Sequence, residues 1–247
     1  MFSPILTNKI FKTRVHSERT HAVVFRRSNQ TGTAPTTQAA KSGSTEGGWT
    51  LLNERGGVTV WKKAVTGSRI FAFRGFKRLN APIEKVAWVL LNNDVMRRKR
   101  WIDMLDEFWV IEQPSSQSVV AYGSYAMPFP FEDRDIVVQA DQSVDSHKRQ
   151  VTLDVYSVEH PVCPPEETVG IRAKLYFSRF ILTKVSSLET NVVCEIHIDP
   201  MGLLPDWLLN FINRMWPVNT LSKLEVEAQR ADTECDPFTE ATLAAAS

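Results

Sequence analysis

Cysteine is scarce in this chain of 247 residues: only Cys163, Cys194 and Cys235 occur, and they stand far apart. That spacing excludes a disulfide framework and fits a reducing compartment. Long apolar runs are missing too, so no segment is suited to cross a bilayer and the chain reads as soluble or peripheral to a membrane. Charge of one sign is not in surplus: 29 Lys and Arg face 28 Asp and Glu, a formal net charge of +1. Such a balance argues against a nucleic-acid partner. There is no Gly-rich phosphate loop and no nucleophile elbow. His160 and Cys163 stand close in "HPVC", but no second pair completes a zinc site. No metal or cofactor is expected.

What is present divides into three parts. Residues 1–47 are rich in Ser and Thr and carry Lys and Arg with only Glu18 and Glu46 as acids. They read either as a disordered tail or as a transit-like segment. The compartment is then the cytoplasm, or a mitochondrion or plastid if the segment directs import. Residues 48–231 hold one compact pattern, and residues 232–247 read as a second disordered tail.

Within the compact part, "GVTVWKKAV" and "IFAFRGFKRL" are rich in β-branched and aromatic residues. Gly67-Ser68 between them marks a hairpin. "NAPIEKVAWVLLNN" predicts a helix capped by Asn80, and Asp94 opens a second helix over Val95 to Leu105. Six strands follow, Phe108–Glu112, Val119–Tyr125, Arg134–Val144, Val151–Val158, Ile171–Val185 and Asn191–Asp199, separated by short polar turns. A long helix closes the pattern from Pro205, with Trp207, Phe211 and Met215 on its apolar stripe and Pro217 set to kink it. Strands joined by short turns form an antiparallel meander with one face to bury. The terminal helix is its natural cover, and the gap between them suits an apolar ligand.

The stretch "YAMPFPFEDRD", Tyr125 to Asp135, sits in the middle of this pattern. Met127, Phe129 and Phe131 alternate with prolines that keep the segment out of a central strand. Together with Trp49 and "GVTVW", "APIEKVAWVL", "RRKRWID", "HPVCPP" and "IDPMGLLPDWLLN", it resembles the START family, the steroidogenic-acute-regulatory-protein-related lipid transfer domains of the helix-grip superfamily. The resemblance spans roughly Trp49 to Arg230. It implies an α+β helix-grip fold, a curved antiparallel sheet of about nine strands around a long C-terminal helix, with a tunnel for one lipid. It also places the loop of Met127, Phe129 and Phe131 as a gate at the tunnel mouth.

Alternation along "DRDIVVQA" puts Arg134 on one face with Ile136, Val138 and Ala140. An arginine on an apolar face needs a partner. Either Glu132 or Asp133 pairs with it, or it binds the polar end of a ligand. Tyr122 and Tyr125 lie on opposite faces of the preceding strand, so one of them can meet a ligand. Trp101 reads as core packing or as lining. Arg97, Arg98, Lys99 and Arg100 read as a solvated face, with contact to anionic lipid as the alternative. Glu195, His197 and Asp199 alternate on one strand face about 7 Å apart, too far for direct hydrogen bonds.

The reading is therefore a monomer that binds one lipid or isoprenoid and transfers or senses it in transient contact with membrane surfaces. An enzyme acting on a hydrophobic substrate in the same cavity is the alternative. The expected ligand contacts are Arg134, Tyr122, Tyr125, Trp101, Ile136, Val138, Trp207, Phe211 and Met215.

Overall fold

A computed structural model describes residues 45–164 and 168–245, with the backbone alone at residues 45, 46, 206, 207 and 210–213. The expectations for residues 1–44 lie outside the described residues. In chain order the elements are β1 (Thr45–Glu46), β2 (Trp49–Arg55), β3 (Val58–Lys63), β4 (Ala72–Leu79), α1 (Ile83–Leu91), α2 (Val95–Trp101), β5 (Leu105–Ser115), β6 (Ser118–Tyr125), β7 (Arg134–Asp145), β8 (Gln150–Ser157), β9 (Ile171–Arg172), β10 (Lys174–Lys184), β11 (Thr190–Asp199), α3 (Asp206–Ala228) and α4 (Pro237–Ala244).

All strands belong to one curved sheet in the order β1-β2-β3-β4-β11-β10-β8-β7-β6-β5, with β9 beside β7. Nine of them have six or more residues. Neighbours among these pair antiparallel, whereas the short β9 runs parallel to β7. The α+β helix-grip architecture expected from the sequence is the one observed. The strands not foreseen are β2 and the two-residue β1, which falls at the end of the stretch read as a tail. Gly56 and Gly57, with φ of +59° and +73°, supply the left-handed turn that joins β2 to β3.

Local chemistry explains most boundaries. Asp94 accepts hydrogen bonds from the amides of Met96 (2.7 Å) and Arg97 (3.3 Å) and so opens α2. The second helix stops at Trp101 rather than Leu105, because Met104 turns into the left-handed region at φ +62° and Leu105 begins β5. Pro82, not Asn80, precedes the first turn of α1. Asn80 is drawn elsewhere: its amide and Nδ2 both donate to Glu225 Oε1 of α3. The expected tail over residues 232–247 contains α4 instead. Asp236 caps it, Gln142 of β7 donates to Asp236 Oδ2 (3.0 Å) and Thr239 Oγ1 (3.1 Å), and Leu243 is buried in the main core.

The core forms where α3 and α1 lie on the concave face of the sheet. Val58, Val60, Leu182, Val192, Cys194, Leu221 and Leu224 are fully enclosed there. Helix and sheet approach one another closely at Gly75 of β4. A Cβ added to Gly75 would stand 2.6 Å from Pro217 Cβ, 3.1 Å from Cys194 Sγ and 3.2 Å from Leu221 Cδ1. Glycine is thus required by proximity, and Pro217 packs on bare backbone. Gly75→Ala should lower stability by about 1–3 kcal/mol through overpacking. Denaturant unfolding reads this as a lower midpoint, and an unchanged midpoint would show that α3 can lift from the sheet freely.

Candidate functional site

Away from the tight contact at Gly75, the concave wall changes character. Phe73, Ile136, Leu175 and Ile196 are buried, but Tyr125, Val138, Val155, Ile198 and Trp216 beside them keep partial exposure. The partly accessible side chains of the sheet adjoin Trp216 of the covering helix α3. Ile136 and Val138, both predicted as lining, lie on this wall. Tyr125 joins it because its strand register pairs it with Arg134, and Ile136 and Val138 follow on that face of β7.

Arg98 of α2 is the unexpected member. Its guanidinium lies 4.0 Å over the Phe108 ring of β5. Nη2 donates to the Leu90 carbonyl at 3.3 Å and to Asn93 Oδ1 at 3.4 Å. Nε is shut off from solvent and has no hydrogen-bond partner. Among the described residues no carboxylate lies within ion-pair distance of it. Burial lowers its pKa to about 10, and the neighbouring Tyr125 pulls weakly the other way. Burial likewise pushes the Tyr125 phenol up, against the pull of Arg98. Arg98 as a whole is half-buried, but an enclosed donor of a cation left without a partner is costly unless an acceptor meets it. Trp101, three residues on along the same helix, is buried with its indole Nε1 also unpartnered.

The rest of the basic run is spoken for. Arg97 reaches Glu227 and Asp232 and covers Trp88, Arg100 reaches Glu227, and Lys99 stands 3.7 Å from Asp106. Arg98 was missed because a run of four cations hides which one turns inward. Its spacing of three from Trp101 was the available signal.

Arg134 has a different role from either one expected. It is buried at 4 % exposure, yet it pairs with neither carboxylate. Nε donates to the Pro200 carbonyl (2.7 Å), Nη2 to Met201 O (3.2 Å), and Nη1 to the carbonyls of Glu132 and Asp133. The guanidinium therefore ties the loop before β7 to the loop before α3. Burial lowers its pKa, and the nearby Glu132 and Asp133 oppose that shift.

The loop of residues 126–133 is split in its contacts. Met127 and Phe131 pack on Leu204, Leu208 and Leu209 at the start of α3. Phe129 is 97 % exposed, and Leu203 on the adjoining loop is 96 % exposed. The Phe129–Pro130 peptide is cis.

Tyr122 belongs to the other side of the sheet. It stacks on Trp109 with ring centroids 3.9 Å apart and packs with Val120, Val137 and Cys163 on the convex face. Its phenol is pushed up by burial first and by Asp135 second. The odd spacing of three from Tyr122 to Tyr125 puts them on opposite faces, and only Tyr125 faces the helix. Met215 of α3 touches Arg55 Nη1 through its sulfur at 4.0 Å. Trp207 and Phe211 lie in α3, but their side chains are outside the described residues.

Glu195, His197 and Asp199 face outward and do not assemble. Glu195 pairs with Arg74 at 2.5 Å, and the Asp199 carboxylate accepts from the Met201 amide. His197 is buried, stacks on Tyr176 at 4.6 Å, and shares a 3.1 Å hydrogen bond with Ser68 Oγ. Burial lowers its pKa from 6.5. The unfolded chain then binds the proton more readily, so this histidine's contribution to stability is lost as pH falls through about 6.5. His197→Gln should flatten that loss in melting curves taken across the range. Equal losses in both proteins would contradict this assignment.

Comparison with known proteins places this geometry. The family model for the START domain matches residues 30–217. An uncharacterised protein of Pseudomonas aeruginosa is 28% identical over 186 residues, covering 74% of this chain and 87% of that protein. Phosphatidylcholine transfer protein of Mus musculus is 28% identical over 169 residues, covering 66% of this chain and 75% of that protein. The crystal structure of human STARD10 superposes with a TM-score of 0.67 at 24% identity, over 76% of this chain and 75% of that one.

Proposed function

The chain belongs to the START domain family, and we propose that it binds one lipid with a phosphate-bearing head, held at Arg98, and moves it between membranes. The unpartnered Nε of Arg98 beside an accessible apolar wall carries this reading. The wall shelters chains whose exposure costs roughly 0.8 kcal/mol per methylene. The guanidinium supplies the charge and fork geometry that a phosphate accepts. A relative named for phosphatidylcholine transfer supports a phospholipid as the class of ligand. Exchange requires an opening, and the two-sided loop of residues 126–133 is the element built for it. Met127 and Phe131 close it on α3, while Phe129 and Leu203 stand free to enter a bilayer surface.

Arg98→Leu separates ligand binding from folding. Charge-assisted hydrogen bonds are worth about 1.5–3 kcal/mol, so lipid recovered after incubation with phospholipid vesicles should fall about 10–100-fold. The melting temperature should hold or rise, because a half-buried charge with an enclosed, unpartnered Nε is removed. Undiminished loading with a lower melting temperature would refute the reading. Phe129→Asp tests the opening. It should slow transfer of fluorescent phospholipid between vesicles while leaving the melting temperature in place, since the side chain touches little in the folded protein. Unchanged transfer would remove the loop from the mechanism.

A further inference from the structure

Large apolar side chains stand out of the protein on three neighbouring loops. Phe129 and Leu203 are almost wholly exposed, and Val169 is 63 % exposed. The loops are fastened to one another. Arg134 donates to the carbonyls of Glu132 and Asp133 in the first and of Pro200 and Met201 in the last. The Ile171 amide donates to Asp133 O at 3.0 Å, and a Cβ on Gly170 would overlap that carbonyl. A Cβ on Gly202 would stand 2.6 Å from Ile171 Cδ1, at a φ of +67° that favours glycine. The tips therefore stand together at one end of the molecule, where β6 stops and β7 begins. Exposed apolar side chains grouped in this way mark an interaction surface.

The charges on these loops decide which surface the tips fit. Residues 126–133 hold Glu132 and Asp133, both exposed, and no lysine or arginine. Residues 168–170 and 200–205 hold no charge at all. Asp199 just before the last loop lies opposite Lys174 in the strand register, so those two offset each other. The arginines that flank the loops are engaged: Arg134 is buried among carbonyls, and Arg172 holds Asp135 at 2.6 Å. The basic run of α2 offers no free cluster either, because Arg97, Lys99 and Arg100 are ion-paired within the protein. An anionic membrane attracts clusters of free cations, and the same field repels carboxylates held within a Debye length of it. We infer that the Phe129 and Leu203 loops form one docking face for an uncharged, zwitterionic bilayer, and that Glu132 and Asp133 turn it away from anionic ones. This rests on the entry of Phe129 and Leu203 into a bilayer proposed above, and adds the class of surface entered.

The test is flotation of the full chain with two kinds of vesicle, phosphatidylcholine alone and equal parts of phosphatidylcholine and phosphatidylserine. At low salt the wild type should bind the neutral vesicles about fivefold more tightly or better, and high salt should close the gap by screening. Glu132→Gln with Asp133→Asn removes both charges, and asparagine Oδ1 can still accept from the Met127 amide, which Asp133 holds at 2.8 Å. This double variant should bind both vesicles equally, and the neutral ones as the wild type does. Glu132→Gln alone changes only an exposed side chain and should narrow the gap. A wild type that binds the anionic vesicles as tightly as the neutral ones, or more tightly, overturns the inference. So does a preference that survives in both variants, because the selection would then lie elsewhere. Phe129→Ser removes a tip without adding charge and should weaken binding to both vesicles. If it binds neutral vesicles as the wild type does, or if the wild type binds neither kind, the entry of the loop into a bilayer falls, and the inference with it. Loss of the charge preference alone, with Phe129 still required, overturns the inference and leaves that entry standing.

Discussion

The contact of Pro217 with the bare backbone at Gly75 governs how α3 sits on the sheet. Because no side chain intervenes on β4, the helix comes down close enough to seal Cys194, Leu221 and Leu224 into the main core. Beyond that point the two layers are less intimate. The start of α3 forms its own cluster, with Leu204, Leu208 and Leu209 meeting Met127 and Phe131 of the loop before β7. One helix thus belongs to two environments, a locked one and one shared with a surface loop. Pro217 stands between them, where its ring removes a helical hydrogen bond.

Electrostatics divides the arginines in a similar way. Arg172 reaches the buried Asp135 at 2.6 Å, Arg97 and Arg100 share Glu227, and Arg134 is saturated by loop carbonyls. Each of these secures structure: a loop, a helix end, or the seam between two loops. Arg98 is held by one carbonyl, one amide oxygen and an aromatic face, and its Nε is left over. Among these arginines of the described residues, Arg98 is the one with an enclosed nitrogen that has no partner, and it is on this atom that the proposed ligand contact rests.

Much of this fold was legible in the sequence, and the physical reasons for the misses are specific. Alternation identified the strands from Phe108 onward and put Arg134, Ile136 and Val138 on one face. β2 escaped because its pairing with β3 shifts register between Leu51 and Asn53, which breaks the period of two. α4 escaped because its small residues carry little periodic signal and its anchors, Gln142 and Glu84, come from distant parts of the chain. The site was harder to read. Strand parity showed that Tyr122 and Tyr125 face opposite ways but not which one faces the helix. Arg134 looked like a ligand contact because its alternation is that of a cavity residue. Its true partners are backbone carbonyls, which no sequence pattern displays.

The central claim is that the empty donor of Arg98 is filled by a lipid phosphate. Side-chain nitrogen NMR of the full chain, before and after loading with a phospholipid, addresses that atom directly. The account predicts that the Arg98 Nε–H resonance shifts on loading and shows coupling to phosphorus across the new hydrogen bond. An Arg98 resonance that stays unmoved while lipid is bound would contradict it.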